Sequence, residues 1–111
     1  MSKVKEAVLA IFFTLFALST FAQTGSVRGR IIDAKTKKPL EFVNVSIRTT
    51  GTQTPLTGTV SDSTGVFRIN RVKNGTYTLT ASFIGYKSVE KEFTISPTAR
   101  NVNVKNILLE E

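Results

Sequence analysis

From Gly25 onward apolar residues recur at every second position, and glycine, proline or asparagine interrupts them roughly every 8 to 12 residues. No segment carries the 3.6-residue period of a helix, so the pattern predicts strands throughout. In "GSVRGRIID" the residues Val27, Gly29 and Ile31 share one face while Arg28 and Arg30 share the other. In "EFVNVSIRT" Val43, Val45 and Ile47 turn inward and Asn44, Ser46 and Arg48 outward. Between these runs "AKTKKPLE" reads as a polar turn, and Pro39, which lacks an N–H, keeps a ladder from running through it.

Further along, "TGTQTPLTG" is rich in hydroxyls and poor in large apolar residues, which predicts a surface loop leading into a short strand that ends at Val60. "GVFRIN" points Phe67 and Ile69 inward, and "GTYTLTASFIG" does the same for Tyr77, Leu79, Ala81 and Phe83. The intervening "VKNG" predicts a tight hairpin, with Asn74 and Gly75 supplying its positive φ. After a further turn glycine, Gly85, Val89, Phe93 and Ile95 share a face, but Lys91 falls on it too, as expected of an edge strand guarded against pairing with other chains. In "ARNVNVKNILLEE" the phase changes at Lys105 to Asn106, which predicts a bulge before Ile107 and Leu109. The whole predicts an all-β fold of about seven strands in two packed sheets. Since no connection is long enough for a helical crossover, every pairing is expected to be antiparallel, in a Greek-key sandwich.

One acidic residue stands where chemistry is worth asking about. In "VSDSTGVFRI" Asp62 precedes Gly65, and the expected role is that of a turn peg: an Asp at the first turn position accepts backbone N–H groups, and Gly65 takes the left-handed conformation that closes a hairpin. An aspartic-protease loop would need Asp followed directly by Ser or Thr and then Gly, and this stretch has one residue too many. A calcium loop would need more carboxylates at alternate positions.

The first 22 residues follow a different pattern. Lys3 and Lys5 precede an apolar run from Ala7 to Leu18, and small residues at Thr20 and Ala22 suit cleavage before Gln23. A run of twelve falls short of the roughly 20 residues a membrane span requires. Residues 1–22 are therefore read as a cleaved export signal and 23–111 as a single domain, with no cysteine after the signal to carry a lipid anchor.

Composition narrows the chemistry. The 111-residue chain has no histidine and no cysteine, which excludes a Ser-His-Asp triad, a Cys nucleophile and an ordinary zinc or haem site. The expectation is a protein that is not an enzyme, with no cofactor and no metal. Without disulfides the fold must rest on its apolar interior. Beyond the signal 13 basic residues face 7 acidic ones, a net charge of +6. The cations are dispersed, with only Lys35, Lys37 and Lys38 clustered and no aromatic rings interleaved, which argues against a nucleic-acid partner.

The order "GSVRGRIIDAKTKKPLEFVNVSI", "TVSDSTGVFRI", "NGTYTLTASFIGYKS" resembles the carboxypeptidase-regulatory-like domain, a transthyretin-like (prealbumin-like) β-sandwich. The resemblance runs from about Gly25 to Leu109. It is carried by Gly29, Asp33, Pro39-Leu40, Asn44-Val45, Asp62 with Gly65 and Phe67, and Gly75, Tyr77, Gly85 and Tyr86. It implies a non-catalytic module such as those that stand, directly after the signal, at the N-terminus of SusC-type TonB-dependent outer-membrane receptors. The implied location is the periplasm or outer membrane, and the implied partner a periplasmic or outer-membrane protein, including the remainder of its own receptor chain. The chain up to Glu111 patterns as neither plug nor barrel, so a leading receptor fragment and a stand-alone relative are both expected alternatives.

A glycan is the alternative partner, since sandwiches of this kind also bind carbohydrate. Glycan binding by stacking needs a platform of exposed rings; there is no tryptophan, and Tyr86, with Phe42 behind it, is the expected exposed contact. Transthyretin-like hydrolases of purine catabolism share the sandwich but work through histidines and a C-terminal tail absent here.

Overall fold

A computed structural model describes residues 24–111; the predicted signal at residues 1–22 lies outside the described residues. Seven strands form among the described residues: β1 (Thr24–Asp33), β2 (Asn44–Thr49), β3 (Thr57–Val60), β4 (Val66–Lys73), β5 (Gly75–Ser82), β6 (Val89–Ile95) and β7 (Asn101–Leu109). They divide into a three-stranded sheet, β4-β1-β7, and a four-stranded sheet, β3-β2-β5-β6. The alternation in the sequence explains the layers. Val27, Ile31, Phe67 and Ile107 from the first sheet meet Val45, Ile47, Leu79 and Ile95 from the second, all buried in one core. Tyr77 lies directly opposite Phe93 across the β5–β6 ladder, their rings stacked at 5.6 Å between centroids.

Two expectations about connectivity are corrected. The β1–β7 pairing is parallel, from Ser26 opposite Asn101 to Asp33 opposite Leu109. A parallel pair needs a long crossover, but the crossover need not be a helix: here the whole of β2 to β6, folded as the opposite sheet, carries the chain back. The two tight turns are likewise not hairpins. β3 and β4 lie in different sheets, as do β4 and β5, so the segments at Asp62–Gly65 and at Asn74 are corners that pass the chain from one layer to the other. β4 pairs instead with β1, Gly29 facing Phe67. A short link between sheets that stack about 10 Å apart needs only a few residues, so turn length alone cannot decide between pairing and crossing.

The predicted bulge is present. β1–β7 pairing jumps from Arg28–Asn103 to Arg30–Asn106, and Lys105 takes φ 61° while its N–H is held by Asn103 Oδ1 at 2.8 Å. β6 is an edge strand, as Lys91 suggested. Lys91 stands opposite Leu79, and its amine reaches across to the Val104 carbonyl at 3.2 Å. It thereby ties β6 to β7 at the open side of the sandwich.

Candidate functional site

Asp62 spends its carboxylate on its own turn. Oδ1 accepts the N–H groups of Thr64 at 2.9 Å and Val66 at 3.0 Å, and the Thr64 hydroxyl at 2.7 Å. Those donors, the Thr64 hydroxyl foremost and then Val66 N–H, hold the Asp62 carboxyl below the usual range. Gly65 follows with φ 79°, and its carbonyl accepts Ile31 N–H at 2.7 Å, fastening the corner to β1. A Cβ at Gly65 would sit 2.5 Å from the Ile31 carbonyl oxygen, so both conformation and space require glycine.

A second carboxylate closes the same end of the sandwich. Asp33 Oδ1 accepts the N–H groups of Lys35 at 2.8 Å and Thr36 at 3.0 Å, and Oδ2 accepts the Tyr86 hydroxyl at 2.6 Å. The Tyr86 bond first, then the Thr36 and Lys35 N–H groups, lower the Asp33 carboxyl, outweighing burial, which acts the other way. The same bond, reinforced by burial and by the charges of Asp33 and Glu111, pushes the Tyr86 hydroxyl up to about 12. Tyr86 is thus not the free contact expected. It is half-buried, packed on the core beside Phe83, with its hydroxyl committed. Its position is set by the turn Phe83–Tyr86, closed by Tyr86 N–H to Phe83 O at 3.1 Å with Gly85 at φ 88°. Asn74 is the single residue between β4 and β5, Gly75 opens β5 at φ 155°, and that corner is held by the Tyr77 hydroxyl on the Lys73 carbonyl at 2.7 Å.

Ser61 was not singled out by sequence. It is almost wholly buried, donates to Leu40 O at 2.7 Å and accepts Val43 N–H at 2.9 Å, pinning the entry of β2 to the end of β3. A lone small hydroxyl breaking the alternation between Val60 and Asp62 was the only signal available.

The outer face of the β4-β1-β7 sheet carries a third feature. Arg28 lies between Arg68 and Asn103, and Arg30 between Val66 and Asn106. Arg28, Arg30, Val66, Asn103 and Asn106, together with Lys105, border a surface groove of about 460 Å³ at the bulge, and Arg68 stands beside it opposite Arg28. Arg30 Nε is fixed to Thr64 O at 3.0 Å. Sequence placed Arg28 and Arg30 on one face; adding Arg68 and Lys105 required the register. Among the described residues no three His, Cys, Asp or Glu side chains come together as metal ligands would.

The two-sheet arrangement is a transthyretin-like β-sandwich. A model of the CarboxypepD_reg-like domain matches residues 27–111, and the chain belongs to that family. Its fold is similar to the pilus 2b backbone protein of group B streptococcus (17% identity, TM-score 0.63, 79% of this chain and 41% of that one). It is also similar to BcpA, the major pilin subunit of Bacillus cereus (17%, TM-score 0.64, 79% and 30%). A third is Klebsiella pneumoniae 5-hydroxyisourate hydrolase (20%, TM-score 0.57, 80% and 89%). The chain spans less than half the length of either pilin. No curated protein matches it.

Proposed function

We propose that the chain is a non-catalytic, exported interaction module, and that it serves as the periplasmic N-terminal extension of a TonB-dependent outer-membrane receptor or as a stand-alone relative of one. The observation that carries this reading is the family match over residues 27–111, joined to a site in which both well-placed carboxylates accept structural hydrogen bonds, Asp62 from its own turn and Asp33 from its turn and from Tyr86. A carboxylate held ionised by two N–H groups and a hydroxyl is a poor proton donor near neutral pH. The inventory without histidine or cysteine supports the same conclusion for nucleophilic chemistry. The export segment "MSKVKEAVLAIFFTLFALSTFAQ" supports the location.

Two measurements test it. Alkaline phosphatase fused behind the chain should be active, since that enzyme matures only after export. Photo-cross-linkers placed at exposed strand positions in the producing cell should give adducts with a cell-envelope protein, an outer-membrane barrel in the receptor case. An inactive fusion overturns export; hydrolysis of 5-hydroxyisourate or another substrate by the purified chain overturns the non-catalytic reading.

A further inference from the structure

The outer face of the three-stranded sheet is built against its own stability. Arg28 and Arg68 stand directly opposite one another across the β1–β4 ladder, an arrangement of like charges that weakens a sheet. Among the described residues no ion pair on this face offsets it. β4 and β7 contain no acidic residue, and the one acid of β1, Asp33, is its last residue and is engaged by Lys35, Thr36 and Tyr86. Asp62, in the corner whose Thr64 carbonyl Arg30 reaches, uses its Oδ1 on Thr64 and Val66. The ion pair found among the described residues, Arg48 with Glu90, lies on the other sheet.

We propose that this face, centred on the groove at the β7 bulge, docks an extended, acidic segment of another protein, with carboxylates at alternate positions lying along β1. The proposal rests on the interaction-module reading and names the chemistry of the partner. Arg28 and Arg30 are two residues apart on one strand and both point outward, which separates them by about 6.5 to 7 Å. An extended peptide presents its own alternate side chains at that same spacing, so two carboxylates meet two guanidiniums without either chain bending. Guanidinium forks match carboxylates in bidentate fashion. Arg30 is already oriented by its Nε bond to Thr64 O, which leaves its terminal amino groups for a ligand. The side-chain amides of Asn103 and Asn106 border the groove and can serve the peptide backbone as donor and acceptor. A groove of about 460 Å³ takes a few side chains and not a globular surface. A second copy of this chain is disfavoured as occupant, because 13 basic against 7 acidic residues beyond the predicted signal make copies repel.

The test uses the purified chain and a fluorescent ten-residue peptide alternating Glu and Thr, read by anisotropy at low salt. Binding is expected, weakening as salt rises. It should fall about tenfold in the double variant Arg28→Gln/Arg30→Gln, as for two exposed ion pairs lost together. A peptide of the same composition with its five Glu in one block should bind more weakly than the alternating one. The control variant Lys35→Gln/Lys37→Gln/Lys38→Gln removes more charge at the end of the sandwich and should bind as the parent does. Circular dichroism and melting confirm that each variant is folded, and Arg68→Gln, which relieves a like-charge pair, supplies a variant expected to be no less stable while binding more weakly. Equal loss in the lysine variant, equal binding of the two peptides, or no binding at all overturns the proposal. So does an arginine-dependent attachment to phosphatidylglycerol vesicles in the absence of peptide binding. Envelope cross-links that persist in Arg28→Gln/Arg30→Gln would leave the module reading standing and sink this site alone.

Discussion

Gly29 faces the core from the middle of β1, and the Phe67 ring lies where its side chain would be. A Cβ there would come within 2.7 Å of both Phe67 Cζ and Val104 Cγ2. Gly29→Ala should therefore overpack the interior and cost about 1 to 3 kcal/mol by urea unfolding, with part of the loss recovered when Phe67 is also shortened to leucine. Ser61→Ala should cost a similar ~1 to 3 kcal/mol by the opposite route, since it strands the buried Val43 N–H and deprives Leu40 O of its donor. It should shift the urea midpoint without changing the slope. The titrating groups give stability a shape in pH. Asp33 and Asp62 are lowered in the folded state, so their contribution is complete above the ordinary aspartate range and lost as pH falls through the depressed values. Tyr86 is raised from 10.0 to about 12, so its contribution is complete below pH 10.0 and lost as pH climbs between those values. Melting temperature against pH should show both declines, and Tyr86→Phe should flatten the alkaline one while lowering the plateau. A steep alkaline decline surviving in Tyr86→Phe would remove Tyr86 as its source.

At the scale of the strand, most of what the alternation predicted is in place: the inward residues of β2, β4 and β5, the edge position of β6 and the bulge in β7. These were legible because each depends on a run of residues within one strand. Which strand pairs with which was not, because pairing is decided by packing between distant segments. Asp62–Gly65 and Asn74–Gly75 have hairpin composition, yet both serve corners, since a glycine with positive φ turns the chain equally well toward a neighbour or into the other sheet. Tyr86 was misread for the same reason: its partner Asp33 lies 53 residues away. Lys91 is the strand-level residue with the sharpest consequence. Its amine bridges to β7 and places a charge at the β6 edge. Lys91→Val should leave the monomer folded but make it associate with rising concentration, as light scattering would detect; a variant that stays monodisperse would assign the guarding role elsewhere.

For the whole molecule, the single core spans both sheets, so no part of the sandwich has an interior of its own. β7 contributes Val104, Ile107 and Leu109 to that core and lies along β1 for most of its length. Ending the chain after Arg100 should consequently abolish the cooperative melting transition, whereas replacing exposed loop residues such as Gln53 should leave it unchanged. A residual sharp transition in the shortened chain would mean that the four-stranded sheet is stable by itself.

The parallel alignment of the first and last strands also fixes how the sandwich would respond to pulling. Thr24 and Leu109 lie at opposite ends of one ladder, so tension applied through them runs along the strands and loads the rungs between β1 and β7 simultaneously, in shear, not one after another as in unzipping. Stretched from its two ends, such a domain gives way abruptly and at high force, and a single-molecule extension trace would show one tall rupture before the rest of the fold unravels.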